Sequence, residues 1–235
     1  MKIGKIIILL MLSWIVFISC KEKKNTDALH GVILFTKGDV KLEQNNGTQT
    51  TLKKGDVFQE GDIIQTGENS VAVVKLSNNG FEMEIQPNAT FQFDKINGKD
   101  KSLSLKKGNV WLKVDKLPKD ESLHLNSPTA TAGVRGTKFY TFEMNGMYGT
   151  CHCEGDVEFK GKSGDYNKIH HGDTLVFSKD GKTILITPED LKNIQNASHN
   201  HSMLDDSPLG SKNVMTPEQR EEMIKVVTKK FAEAK

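Results

Sequence analysis

The sequence predicts a mostly β protein. The body is expected to be two related β-modules, sandwich-like or solenoid-like, followed by short C-terminal helices. Three observations predict this class: short segments of alternating apolar and polar residues, turn signals between them, and an internal repeat. Phe81–Ile85 and Val110–Val114 are examples of the alternation. Asn46-Gly47 and Asn97-Gly98 are strong hairpin signals, because Asn and Gly both adopt the positive φ that tight turns need.

The internal repeat joins an early and a late part of the body. Gly38-Asp39-Val40 recurs as Gly155-Asp156-Val157, and Gly55-Asp56 recurs as Gly172-Asp173, each 117 residues later. Glycine supplies the turn, aspartate accepts hydrogen bonds from the turn backbone, and the β-branched residue starts the next strand. Each of these aspartates stands alone, whereas calcium loops crowd several oxygen ligands into a short span. We therefore interpret the motif as structural and not as a calcium site.

The first segment is predicted to be a targeting signal. Lys2 and Lys5 precede Ile6–Ile18, which is apolar except for one serine and short for a membrane span. A cysteine directly after such a segment resembles a bacterial lipobox, so we expect lipidation of Cys20. An uncleaved membrane anchor and an ordinary secreted protein are the alternatives.

Lipidation would make Cys20 the mature N-terminus and attach the chain to a membrane. The resemblance implies several acyl chains on this residue, and more than one chain is what stable anchoring requires. We expect no other cofactor. Lys21-Glu22 follows the cysteine in place of the aspartate that often retains lipoproteins in the inner membrane. We therefore expect a cell-envelope lipoprotein, held at the outer membrane.

The remaining chain divides by composition, and its end is predicted to be helical. Thr187-Pro188 predicts a short helix as far as about Asn196, and Thr216-Pro217 with Gln219 predicts a second helix with a capping box. The second helix is amphipathic, and such helices usually pack on their own domain; partner binding is the alternative. The expected organisation is a signal peptide (1–19), an anchored tether (20–30), a β domain (31–186), a short helix with a linker (187–215) and an amphipathic helix (216–235).

The stretch 126–139 is the most distinctive part of the sequence. Six small residues precede Val134, and Arg135 then lies between Gly133 and Gly136, with Thr137 next. The pattern predicts a strand, a tight corner and a second strand. The five N–H donors of Arg135 suit backbone carbonyls or carboxylates in such a corner. Arg135 is therefore either a structural clamp or a residue that contacts a partner.

Pro128–Phe139 also resembles the signature of FecR-type domains, a T-P-T-A-T-x-x-V-R-G-T-x-F run, with Ser127 in place of the first threonine. The segment from Gly55 to Gly67 resembles another part of that family. The resemblance covers roughly residues 31 to 180 and implies a FecR-like β domain. FecR regulators carry a cytoplasmic region before a membrane span, and only five residues precede the apolar run here. Control of a sigma factor is therefore not expected.

Cysteine and histidine residues provide weak candidates for a metal site. Cys151 and Cys153 are predicted to point to one face of a strand and His152 to the other. The main interpretation is two core cysteines. The alternative is a zinc or copper site with His170 and His171, although the spacing matches no common zinc motif.

Composition excludes one class of function and leaves the ligand open. The net charge of +2 comes from Lys2 and Lys5, so the rest of the chain is neutral by count and nucleic-acid binding is not expected. No catalytic constellation stands out, so we expect no enzyme. We expect an envelope lipoprotein that presents a β binding or scaffold domain to an envelope protein or the cell wall. The alternatives are a periplasmic sensor or regulator subunit that contacts a transmembrane signalling partner, and a Cys/His metal-binding protein.

Overall fold

The computed structural model describes residues 30–76, 81–134, 136–164, 166–171, 174–194 and 216–234. These residues form eighteen strands and one α-helix. The strands are β1 (Gly31–Lys37), β2 (Val40–Glu43), β3 (Gln49–Thr51), β4 (Val57–Phe58), β5 (Ile63–Thr66), β6 (Val71–Leu76), β7 (Phe81–Ile85), β8 (Thr90–Lys95), β9 (Asp100–Lys107), β10 (Asn109–Val114), β11 (Ser122–Asn126), β12 (Ala130–Val134), β13 (Lys138–Met144), β14 (Met147–Glu154), β15 (Asp156–Gly161), β16 (Asn167–His171), β17 (Thr174–Lys179) and β18 (Lys182–Ile186). The helix, α1, is Pro217–Glu233.

The strands form two nine-stranded sheets. Sheet A has the order β18-β17-β14-β13-β10-β7-β6-β1-β4, and sheet B has the order β16-β15-β12-β11-β9-β8-β5-β2-β3. Neighbouring strands are antiparallel except β9 and β11. A parallel pair needs a crossover connection, and here β10 of sheet A is that connection. The predicted mostly β fold is confirmed, in its sandwich form.

The chain passes repeatedly from one sheet to the other, and a residue with positive φ marks many of these passages. Gly38 lies between β1 and β2, Gly108 between β9 and β10, and Gly155 between β14 and β15, with φ of 75°, 84° and 81°. Such angles strain residues that carry a Cβ, so glycine is favoured there. The Gly-Asp turns of the sequence are therefore sheet-crossing corners.

Two aspartates act in the corners as the sequence predicts. The Asp56 carboxylate accepts a hydrogen bond from the Lys53 backbone N–H at 2.7 Å, and the Asp62 carboxylate accepts one from the Gln59 N–H at 2.8 Å. Asp62 is buried, and this hydrogen bond gives its carboxyl group a backbone partner. Within the described residues, no group of three or more histidine, cysteine or acidic side chains could hold a metal ion.

The internal repeat also has a structural counterpart. β1 to β4 occupy one end of both sheets, and β14 to β17 occupy the other end with the same pairings, since β1 pairs with β4 and β2 with β3 just as β14 pairs with β17 and β15 with β16. Each set passes from sheet A to sheet B and back. The two predicted modules are therefore the two ends of one sandwich.

The core lies between the sheets, where inward-facing residues of both meet. Phe58 of sheet A and Phe93 of sheet B have ring centroids 4.1 Å apart, and both side chains are fully buried. Because side chains alternate along a strand, the residues next to those of the core face outward. The outward-facing residues of sheet A therefore form a second face that takes no part in this core.

Helix α1 packs on the outer face of sheet A. Thr216 caps the helix: its hydroxyl accepts a hydrogen bond from the Gln219 N–H, and the Gln219 side chain accepts one from the Thr216 N–H. Met223 and Val227 are buried in a cluster with Phe142, Phe177 and other residues of β13, β14, β17 and β18. The predicted capping box and amphipathic face are both confirmed. No helix of the described residues has the length and hydropathy to cross a membrane.

The first predicted C-terminal helix, Thr187 to Asn196, is wrong for the residues that the structure describes. Residues 188–193 form turns held by hydrogen bonds between residues three apart, such as Leu191 N–H to the Pro188 carbonyl at 3.1 Å. The Asp190 carboxylate accepts from the Thr187 N–H, as in a helix cap. So short a segment gains too few α-helical bonds to offset the cost of nucleation.

The crossing between β14 and β15 can be tested with a pair of glycines that share φ of 81°, Gly155 and Gly164. A Cβ on Gly155 would lie 2.7 Å from the Gly136 carbonyl oxygen, whereas a Cβ on Gly164 would meet nothing within 4 Å. Gly164→Ala should cost about 1 kcal/mol from backbone strain, and Gly155→Ala at least about 1 kcal/mol more from the clash. Urea unfolding of both variants measures the difference, and equal costs would contradict the close approach of this corner.

Candidate functional site

The predicted strand–corner–strand arrangement is present around Gly136. β12 of sheet B ends at Val134, and β13 of sheet A begins at Lys138. Gly136 has φ of 72°. A Cβ there would lie 2.7 Å from the Lys116 Cα, so the corner packs closely against the β10–β11 connection. Gly133 instead lies inside β12 with ordinary strand pairing. Arg135 lies outside the described residues, so its role as clamp or contact stays a prediction.

Thr137 ties the corner to the neighbouring strand. Its carbonyl accepts a hydrogen bond from the Val114 N–H at 2.9 Å, and the residue is only 2% exposed. Val114 closes β10, so the corner is fixed to the end of that strand. Of the predicted corner residues, Thr137 is bonded to Val114 and Gly136 lies close to Lys116, so both are placed where β13 begins.

Next to the corner, sheet A carries a row of side chains on its outer face. Tyr140, Trp111, Glu84 and Val73 lie opposite one another in β13, β10, β7 and β6; we call them the Trp111 row. The rings of Trp111 and Tyr140 stack with centroids 4.3 Å apart. The Tyr140 hydroxyl donates to the Gln86 side-chain oxygen at 2.8 Å. That these four residues lie side by side was not predicted from the sequence.

Burial fixes the protonation of this network. Loss of solvent raises the pKa of the Tyr140 hydroxyl well above its ordinary value, so the hydroxyl keeps its proton and acts as a donor. The Gln86 amide lies 3.4 Å from a Glu84 carboxylate oxygen, and both residues are 2% exposed. A buried carboxylate on the outer face of a sheet is costly unless it has polar partners. The row therefore combines aromatic and polar side chains that are largely buried within the chain.

One step further along the same strands lies a second row, which is charged. Lys138, Lys113, Glu82 and Lys75 are opposite one another in register, and we call them the lysine row. Lys75 and Glu82 form an ion pair at 3.6 Å. Three lysines against one glutamate leave the row positive. The outer face of sheet A thus has an aromatic row beside a basic row.

Among the described side chains, the candidates Cys151, His170 and His171 do not converge on one point. Cys151 is half-buried against the cluster beneath α1, while its neighbour His152 is fully buried and points away from that cluster. This confirms the predicted alternation for these two residues. The Cys153 side chain lies outside the described residues. His170 and His171 point to different partners, because His170 contacts the Tyr166 hydroxyl at 2.8 Å and His171 contacts the Asp156 carboxylate at 2.6 Å.

His152 is the unusual group of this region. Neither ring nitrogen has a hydrogen-bond partner among the described residues, and the ring centroid lies 5.7 Å from that of His170. Burial, assisted by His170, lowers the pKa of His152 to about 3. The residue is therefore a neutral core histidine, and sequence alone showed only that it faces away from Cys151.

A cavity between the sheets, at Ala132, Thr141 and Phe159, is too small for a substrate. Its volume is about 10 Å³, which is room for about one water molecule. Pockets for small-molecule ligands are commonly above about 300 Å³. This cavity is therefore packing space and not a binding pocket.

Cys20, the predicted lipidation site, lies outside the described residues.

A comparison with family models gives a match in the central region of the chain. Residues 62–158 match the family model described as FecR protein. The match begins at the start of β5 and ends within β15, and it includes the Gly136 corner and the whole Trp111 row. The family resemblance seen in the sequence is confirmed for these residues.

Similar solved structures are more distant. Two crystal structures, at 1.65 and 2.50 Å, of a candidate anti-sigma factor from Parabacteroides distasonis ATCC 8503 match with 10% identity and a TM-score of 0.47. Each match covers 53% of this chain and 59% of that chain. A likeness of this size carries no functional argument. No curated protein matches the chain.

The burial of His152 predicts a specific pH dependence of stability. In the unfolded chain this histidine takes up a proton below pH about 6.5, whereas in the folded chain it stays neutral down to about pH 3. Acid therefore favours unfolding between these values, and the free energy of unfolding should fall by up to about 1.4 kcal/mol per pH unit from this group.

Urea unfolding from pH 7 to pH 4 tests this against His152→Phe, which removes the titrating group and keeps an aromatic ring. In His152→Phe the number of protons taken up on unfolding, which sets the pH dependence of the free energy of unfolding, should fall by about one. It should remain in the control His124→Phe, since His124 is half-buried on β11. An unchanged pH dependence in His152→Phe would mean that protonation of another group causes the loss of stability in acid.

Proposed function

We propose that this chain is a non-enzymatic regulatory module of the bacterial envelope. It is held at the outer membrane by lipid on Cys20 and contacts a membrane-embedded signalling protein. The single observation that carries the proposal is the FecR match over residues 62–158. A regulator or sensor subunit fits this match better than a general scaffold for the cell wall, because regulation is the role for which the family is named.

The contact with the partner is assigned to the Gly136 corner. The corner lies within the matched region, and its backbone is fixed by the Thr137–Val114 hydrogen bond and by the approach of Gly136 to Lys116. Arg135 directly precedes Gly136 in the sequence. A guanidinium suits a carboxylate or a set of backbone carbonyls, so Arg135 is the residue of this corner that we assign to the contact.

A non-enzymatic role is supported by the interior of the sandwich. The cavity beside Thr141 is too small for a substrate, and the described residues offer no cluster that could hold a metal ion. Among the described residues, Cys151, His170 and His171 do not form one cluster. We therefore assign the function to contacts at the surface.

Anchoring by lipid can be tested by metabolic labelling with a palmitate analogue. Wild-type protein should take up label and fractionate with membranes, and Cys20→Ala should lose both, since the thiol of Cys20 carries the acyl group. Cys151→Ala is the matched control and should keep the label. An unlabelled wild type that remains in the membrane would replace lipidation by an uncleaved apolar anchor.

Contact at the corner can be tested with a photo-reactive amino acid in the full-length protein in cells. Lys116 is exposed and adjoins Gly136, whereas Thr50 is exposed on the edge strand β3. Substitution at position 116 should give an adduct with a membrane protein, and substitution at position 50 should not. Mass spectrometry of the adducts identifies the partner class.

Arg135→Ala then separates contact from structure. Loss of the adduct with an unchanged thermal melting temperature supports a contact role, and Arg135→Lys should restore the adduct only in part because lysine lacks the planar fork of donors. A large fall in melting temperature for Arg135→Ala would show a structural clamp instead. An adduct with glycan alone would overturn the regulatory proposal in favour of a cell-wall scaffold.

A further inference from the structure

β16 is an exposed edge strand with an apolar residue at its centre. It is the last strand of sheet B, and among the described strands it pairs with β15 alone. All five of its residues are exposed or half-buried. Ile169, the central residue, is 60% exposed, the largest value among the exposed large apolar side chains of the described residues. An apolar edge of this kind is a template for pairing with another strand.

The other three sheet edges of the described residues offer less. β4 has two residues, and β3 has three, all of them polar. β18 is as long as β16, but its Ile184 and Ile186 are buried in the cluster that contains Met223 and Val227 of α1. Short edge strands and edges covered by a helix are the usual protections against pairing. β16 has neither of them among the described residues.

The ladder between β15 and β16 fixes which backbone groups of β16 are already engaged. The Gly161 N–H donates to the Tyr166 carbonyl at 2.9 Å, in register with the pairs of the ladder. Residues that lie opposite one another in an antiparallel ladder alternate between hydrogen-bonded and non-hydrogen-bonded pairs. Two and four residues after Tyr166, the backbone groups of Lys168 and His170 are therefore the ones that bond to β15.

The backbone groups of Asn167, Ile169 and His171 consequently point away from β15. Of these groups, the His171 carbonyl accepts a hydrogen bond from the Thr174 hydroxyl at 3.0 Å. The remaining N–H and C=O groups form a row along the outer side of the strand. A further strand can bond to this row without disturbing the ladder to β15.

An antiparallel second copy of β16 matches the row. With Ile169 opposite Ile169 of the other copy, Asn167 lies opposite His171, and Lys168 lies opposite His170. The residues whose backbone groups point outward then face one another. We propose that this chain forms a homodimer in which β16 of one copy pairs with β16 of the other and sheet B continues across both.

Twofold symmetry agrees with this register. In an isologous contact, a residue that meets a second residue is met by it in return, as holds here for Asn167 and His171. The central Ile169 pair supplies two backbone hydrogen bonds, and the His171 N–H donates to the Asn167 carbonyl on either side of it. The two Ile169 side chains lie next to each other on the outer face of the joined sheet.

The register brings no like charges directly opposite each other. The Lys168 ammonium lies 5.3 Å from the centroid of the Tyr166 ring of its own chain. Burial, together with the charges of Lys168 and His171, lowers the pKa of His170 below its ordinary value. At pH 7 the residue opposite Lys168 is therefore a neutral imidazole. His171 has Asn167 opposite it, which carries no charge.

The contact is small and separate from the site proposed above. A pair of five-residue strands buries little area, so we expect a dimer that dissociates readily. Its detection therefore needs covalent capture. The pairing belongs to the outer edge of sheet B and does not depend on the partner contact assigned to the Gly136 corner.

Disulfide capture in cells that produce the full-length chain tests the contact. Ile169→Cys should give a linked dimer on oxidation with diamide, which takes up the two electrons and two protons. The Cα atoms of a hydrogen-bonded pair lie about 5.5 Å apart, within the range that a disulfide spans. Thr50→Cys, exposed on edge strand β3, is the control and should stay at the wild-type level. No dimer from Ile169→Cys, or a link only to a different protein, would overturn the proposal.

The register is tested with two chains that carry different tags. A chain with Asn167→Cys should link to a chain with His171→Cys. It should not link to a second chain with Asn167→Cys, because four residues of strand, about 13 Å, separate these positions along the joined edge. Links between like chains without links between unlike chains would contradict the antiparallel arrangement.

Ile169→Pro tests the backbone of the pairing. Proline is tolerated on an edge strand where the N–H side faces solvent, so the bonds of Lys168 and His170 to β15 are kept and the melting temperature should change little. The yield of the link between positions 167 and 171 should fall about tenfold, since the central N–H donors are lost.

Ile169→Lys is the second variant, and it decides the case if the proline variant does not fold. It keeps the N–H donor but places two positive charges opposite each other, which weakens a cross-strand pair. The yield of the same link should fall, and Thr50→Lys should leave it unchanged. An undiminished yield in a folded Ile169→Lys chain would show that β16 is not the contact.

Discussion

The fold depends on the corners at which the chain leaves one sheet and enters the other. A sandwich built by repeated crossing needs a sharp reversal between sheets at each passage, and positive φ supplies it with few residues. Glycine is the residue that bears this angle without strain, as at Gly38, Gly108, Gly136 and Gly155. At Gly136 and Gly155 a side chain would also strike neighbouring backbone, so these corners are packed against each other and cannot slip.

The same constraint positions the Trp111 row. Because β12 crosses to β13 at Gly136, the corner lies at the end of β10 and β13, and the outward residues of these strands follow directly from it. Trp111 and Tyr140 stack there, with Gln86 and Glu84 as polar neighbours. The region that matches the FecR family model thus brings the Gly136 corner, an aromatic row and a basic row together in sheet A.

The two faces of sheet A have different roles. The inner face supplies the core, and the outer face packs α1 over β13, β14, β17 and β18 and carries the Trp111 row over the remaining strands. A sheet that is covered on both faces reads as nearly continuous apolar sequence, as in Val71–Val74, which is buried at every position. This is why the strands of sheet A show weaker alternation than the strands of sheet B.

The sequence alone determined the mostly β class, the two repeated modules, the capped helix from Thr216 and the strand–corner–strand pattern around Gly136. Each of these rests on local chemistry, such as positive φ at glycine, the capping reach of Thr216 and Gln219, or the alternation of side chains along a strand. The turns after Thr187 were wrongly predicted as a short helix, because the choice between turns and α-helix there depends on a small free-energy difference over few residues. Only the tertiary structure decided that Glu84, Trp111 and Val73 form one row and that His152 faces the core while Cys151 faces the helix. Those neighbours come from strands far apart in sequence, and register between such strands is set by the packing of two whole sheets and not by any local pattern.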